Sequence, residues 1–76
     1  MSKAKLYPNP IINDLIINNP ANADLFIQLI NMNGSIIKEE KINNSAKWDL
    51  SELNQGIYLV RISDERNSIT RKFVKQ

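Results

Sequence analysis

Short runs of alternating apolar and polar residues, each closed by a turn signal, organise this chain. The clearest begins at Tyr58, where Tyr58, Val60 and Ile62 alternate with Leu59, Arg61 and Ser63. That is the period-two pattern of a strand with one buried face. The same reading predicts strands over residues 3–7, 14–18, 24–32, 36–42, 47–50 and 69–75. In the second, Leu15 and Ile17 share one face and Ile16 takes the other. In the third, Leu25, Ile27 and Leu29 oppose Phe26, Gln28 and Ile30. Both faces of that strand are apolar, so it is expected at the centre of a sheet. Lys38, Glu39, Glu40 and Lys41 mark the fourth as mainly solvated. No window has the 3.6-residue period of an amphipathic helix.

The punctuation between the runs is specific. Pro8 and Pro10 stop the first strand, because neither can donate to a ladder and each drives its predecessor into extended geometry. Tyr7-Pro8-Asn9-Pro10 is therefore expected as a rigid corner. Asn18 to Asn22 form a loop by composition. Asn31-Met32-Asn33-Gly34 is the best hairpin turn in the chain, either a type I′ turn or a slightly longer bulged loop. Residues 43–45 and 64–67 are polar turns, and Ser51 to Asn54 one helical turn at most, with Ser51 as its cap. Gly56 can supply a positive φ at the entry to the Tyr58 strand.

Seven strands with a crossover near residues 50–56 predict an all-β, seven-stranded antiparallel Ig-like β-sandwich. Its expected core is Leu15, Ile17, Leu25, Ile27, Leu29, Ile37, Leu53, Tyr58, Val60 and Ile62. Trp48 is expected as an anchor at the core or its rim. The spacing Leu53-x-x-Gly56-x-Tyr58 suits a tyrosine corner, in which a Tyr hydroxyl at the start of a central strand turns back to upstream backbone. Taken alone, Tyr58 is also readable as an ordinary core aromatic. Ile16, Phe26, Ile30, Leu59 and Val74 on outer faces read equally as a binding patch or as scatter.

Composition narrows the function. Seventy-six residues make one domain, and a chain this short buries only about 60% of its unfolded surface. With no Cys, no disulfide adds to its stability. Ten Lys and Arg against eight Asp and Glu are too near balance to point to nucleic acid or an anionic membrane. The absence of His and Cys removes the usual general base, thiol nucleophile and transition-metal ligands. Asp24, Asp49, Asp64 and Glu65 lack the spacing of a calcium loop and read as turn acids. The two glycines form no phosphate-binding loop. Neither an enzyme nor a cofactor-binding protein is expected.

Three stretches also carry a family resemblance. Asp49-Leu50-Ser51-x-Leu53-x-x-Gly56-x-Tyr58-Leu59-Val60-Arg61 resembles the central signature of the C-terminal sorting domains of the type IX secretion system, found on cargo proteins of Bacteroidetes-like bacteria. Leu6-Tyr7-Pro8-Asn9-Pro10 and Lys72-Phe73-Val74-Lys75-Gln76 match the two ends of that pattern. The resemblance implies that residues 1–76 are one sorting domain, a piece of a larger cargo that enters the periplasm by its own signal peptide. It also implies recognition by an outer-membrane translocon and its shuttle protein. Removal by a sortase-like peptidase would then leave the cargo secreted or at the cell surface. The matching residues are Tyr7, Pro8, Asn9 and Pro10; Gly34; Leu50, Leu53, Gly56, Tyr58 and Val60; and Lys72, Phe73, Val74 and Lys75. Most are expected to serve the fold. The terminal Lys-Phe-Val-Lys is the expected point of direct recognition, on an accessible strand with Lys72 and Lys75 solvated. The domain is expected to be a monomer. The competing reading is an Ig- or fibronectin-like accessory module of a surface protein, which spaces domains or binds carbohydrate through a groove of exposed aromatics.

Overall fold

A computed structural model describes residues 5–7, 10–19 and 23–76. Its strands are β1 (Lys5–Tyr7), β2 (Asp14–Asn18), β3 (Leu25–Asn31), β4 (Ile36–Ile42), β5 (Ala46–Asp49), β6 (Gly56–Ser63) and β7 (Ser68–Lys75). They form two antiparallel sheets, β1-β2-β5 and β4-β3-β6-β7, stacked as an Ig-like sandwich. The expected strand residues Lys3 and Ala4, the corner residues Pro8 and Asn9, and the loop residues Pro20, Ala21 and Asn22 lie outside the described residues.

The inner faces follow from strand alternation. Leu15, Ile17, Leu25, Ile27, Leu29, Val60 and Ile62 are almost wholly buried, as their period predicts, and Tyr58 closes the core at one end. Ile11, Ile42, Trp48, Leu50 and Phe73 complete it, with Leu6, Ala46, Leu53 and Ile69 packed at its margin. Leu53 is thus half-buried rather than central.

Ile37 is not a core residue; it is 40% exposed. The register between β3 and β4 shifts after the Leu29–Lys38 pair, so that Ile30 faces Ile36 and Ile37 is the extra residue of a β-bulge. The bulge inverts the phase of the strand. Ile42 pairs with buried Leu25 and faces inward in its place, and Glu40 and Lys38 share that face beside Ile27 and Leu29.

Those two inward charges meet Trp48 on the other sheet. The Trp48 Nε1–H donates to Glu40 Oε1 at 2.7 Å, and Lys38 Nζ sits 5.4 Å from the ring centroid. The buried indole is therefore satisfied across the opening between β4 and β5. Inward charges on an edge strand also discourage pairing with another molecule.

Side chains shape the turns. Asn31 and Ser35 close the hairpin: Asn31 N–H donates to the Ser35 carbonyl at 3.0 Å and Gly34 N–H to the Asn31 carbonyl at 3.0 Å. The Asn31 amide oxygen accepts from the N–H groups of Asn33 and Ser35, each at 3.0 Å. Gly34 has φ 88°, so the turn is the longer, bulged alternative. At the β6–β7 turn Asp64 Oδ1 accepts from the N–H groups of Arg66 and Asn67, and these bonds hold its carboxyl below the ordinary value of 3.8. Residues 51–54 form a turn without a helix. It is capped by Asp49, not Ser51: Asp49 Oδ1 accepts from Ser51 N–H at 3.0 Å, and hydrogen bonds from the Ser51 side chain and backbone lower the Asp49 pKa. Two of the acids considered for calcium are therefore engaged in their own turns. Asn19, buried, donates through its backbone to Ser45 Oγ and through its amide to the Ala23 carbonyl, both at 2.8 Å.

The bulge yields a paired prediction. Ile27→Ala should destabilise the domain by about 2–4 kcal/mol, as expected for a fully buried isoleucine. Ile37→Ala should cost less than about 1 kcal/mol, because its side chain already meets water. Urea melts of both variants check this; an equal loss would place Ile37 back in the core.

Candidate functional site

The crossover from β5 to β6 carries the chain from one sheet to the other, and Tyr58 fixes it. Its hydroxyl donates to the Asn54 carbonyl at 2.8 Å, four residues upstream. Tyr58 is thus the corner tyrosine that the Leu53-x-x-Gly56-x-Tyr58 spacing suggests, and its aromatic body is also core. Leu53 N–H donates to the Leu50 carbonyl at 3.1 Å, which folds the intervening turn. Gly56 then opens β6 with φ 151°, a backbone conformation that strains any side chain, even though a Cβ there would meet nothing within 4 Å.

The segment after Pro10 ties the two sheets together at this same end. Ile11 N–H donates to the Val74 carbonyl at 2.7 Å, and Gln76 N–H donates to the Ile11 carbonyl at 2.8 Å. Ile11 thereby makes a parallel bridge opposite Lys75 while its side chain enters the core. Two residues later the Asn13 carbonyl accepts from Leu50 N–H at 2.7 Å.

Register brings the other signature residues to the same pole. Asn31, where the Gly34 hairpin begins, lies opposite Tyr58, which lies opposite Phe73; Gly56 lies opposite Lys75. Segments distant in sequence therefore converge on one end of the sandwich: the residues following Pro10, the Gly34 hairpin, the 50–58 corner and the end of β7. Val60, wholly buried, lies one inner-face step deeper, between Leu29 and Arg71. Tyr7 lies on β1 with 44% of its surface exposed, and Pro10 is exposed; Pro8 and Asn9 fall outside the described residues.

The closing motif is not the uniformly accessible strand expected of it. Phe73 is buried opposite Tyr58, and Lys75 is only 6% exposed, with its ammonium donating to the Gln76 backbone oxygen at 3.0 Å. Alternation along β7 sends Phe73 and Lys75 inward and leaves Lys72 and Val74 outward. A Lys can take such a place because its alkyl stem packs while its charged end reaches the margin.

On the outer face of the four-stranded sheet, Ile36, Ile30 and Leu59 line up in one row that Lys72 completes, and Ile57 and Val74 pair beside it. Ile30, Leu59 and Val74 thus belong to a continuous apolar strip. Phe26 is separated from it by the Gln28–Arg61 row, and Ile16 lies in the other sheet. Sequence reasoning missed Ile11, Asn13 and Leu50 as the connections between sheets. Ile11 and Ile12 are adjacent and carry no periodicity, so only the tertiary bridge distinguishes them. The aromatics form no common platform: Trp48, Tyr58 and Phe73 are buried, and the exposed Tyr7 and Phe26 lie in different sheets.

The chain belongs to the secretion system C-terminal sorting domain family, which it matches over residues 5–76. Domains of this family are non-catalytic sorting signals of type IX secretion, engaged by the machinery of that system, and their cargo passes through the periplasm to the surface or the medium. No curated protein matches the sequence.

The corner has a measurable worth. Tyr58→Phe should lower stability by about 1 kcal/mol or somewhat more, since the Asn54 carbonyl loses its partner while the ring still packs. Chemical denaturation measures it, and an unchanged midpoint would reduce Tyr58 to a packing residue.

Proposed function

We propose that residues 1–76 are one folded address label at the C-terminal end of a larger exported cargo, recognised as an assembled unit. The observation that carries this reading is the convergence of the central and closing signatures, with the residues that follow Pro10, on one pole. The buried members, Leu50, Tyr58, Val60, Phe73 and Lys75, set the shape. The exposed members, Tyr7, Pro10, Lys72 and Val74, are the ones a receptor can touch. The outer-membrane translocon and its shuttle protein read this pole after the cargo enters the periplasm. A sortase-like peptidase then removes the label, which is that enzyme's substrate and performs no chemistry of its own.

Because Lys75 is buried, its exchange would confound folding with recognition, whereas Lys72 is exposed. Surface exchanges of this kind usually change stability by no more than about 0.5 kcal/mol. The test fuses the domain to a periplasmic reporter bearing a cleavable signal peptide, in a host with a type IX system. The fusion should reach the surface or medium, and Lys72→Glu should leave it in the periplasm with an unchanged circular dichroism spectrum. Secretion that persists in a strain lacking the translocon would overturn the sorting reading. Secretion unaffected by Lys72→Glu would overturn the role given to the closing motif.

A further inference from the structure

The sandwich has two lateral openings, and they are treated differently. Between β4 and β5 the inward charges Lys38 and Glu40 are both engaged by Trp48. Between β1 and β7 lies a groove of about 310 Å³ lined by Lys5, Leu6, Ile62, Ile69, Arg71, Lys72 and Phe73. Its floor is apolar, and Lys5 and Arg71 bring cations to its rim with no acid among the lining residues. Arg71 is the counterpart of Lys38 on the opposite edge: alternation puts it on the inner face with Ile69 and Phe73, opposite Val60. Among the described residues, its guanidinium has neither a hydrogen bond nor an ion pair.

We infer that this groove takes an acidic, extended segment of a partner protein, whose carboxylate meets Arg71 and whose neighbouring apolar side chain rests on Leu6, Ile69 and Phe73. Charge complementarity selects the occupant. A guanidinium presents a planar fork matched to a carboxylate, and its weak hydration suits a site with an apolar floor. The groove runs between two edge strands, where extended peptides commonly dock, and its volume lies at the low end of ligand sites, about 300–1,000 Å³. The inference rests on β7 being part of the recognised pole, and it adds the chemistry of the partner.

Fluorescence anisotropy of short labelled peptides, alternating valine with glutamate, glutamine or lysine, tests it on the intact domain. The glutamate peptide should bind, more weakly as salt rises, and the other two should not. Arg71→Glu and Lys5→Glu should each weaken binding by roughly five- to tenfold. Lys47→Glu, on β5 and outside the groove, should leave it unchanged, and circular dichroism verifies folding of every variant. Equal binding of the lysine peptide, equal loss with Lys47→Glu, or no glutamate-peptide binding at all would overturn the assignment. So would binding confined to anionic phospholipid vesicles, or sedimentation showing that the groove is filled by a second copy of the domain. A domain that directs secretion yet ignores the acidic peptide refutes the groove and leaves the sorting reading standing.

Discussion

The clasp between Ile11 and the end of β7 is the constraint on which the pole that gathers the signature residues depends. Two backbone hydrogen bonds, to Val74 and from Gln76, fix the segment after Pro10 against the last strand. The same segment reaches the other sheet through the Asn13–Leu50 bond. Burial of the Ile11 side chain removes water from these bonds and adds the hydrophobic term that makes the contact cooperative with the core. Without it, the opening and closing signatures would be neighbours in a family pattern but not in space.

Around the clasp, six of the signature residues acquire a physical role. Tyr58 fixes the crossover, Gly34 and Gly56 permit backbone turns, and Leu50, Val60 and Phe73 fill the core beneath the pole. A sequence pattern of this kind is thus largely a description of a shape. The exposed remainder is small and takes no part in the core. On the proposed reading, in which the domain is recognised folded, that division separates stability from recognition.

Most of the architecture was legible in the sequence because alternation is a local property. Seven strands, the sandwich, a hairpin at Asn33-Gly34 and a corner at Tyr58 follow from period-two runs and turn residues, whereas the bulged form of the hairpin is settled by the structure. The errors have a common physical origin in contacts that periodicity does not encode. Ile37 and Ile42 are an odd number of residues apart, so a regular strand cannot bury both; the pairing of Ile42 with buried Leu25 settles the conflict, and the bulge leaves Ile37 as the unpaired residue. Lys75 looked solvated because it is charged and terminal, but strand parity with Phe73 turns it inward. Ile11 lies in no strand, and its bridge joins residues at opposite ends of the chain.

Amide hydrogen exchange followed by NMR tests the clasp most directly. If the pole is part of the cooperative fold, the amides of Ile11 and Gln76 should be protected to nearly the level of Val60 and Ile62 in β6. Exchange of Ile11 and Gln76 at the rate of the exposed 64–67 turn would contradict the account, because the closing signature would then open independently of the sandwich.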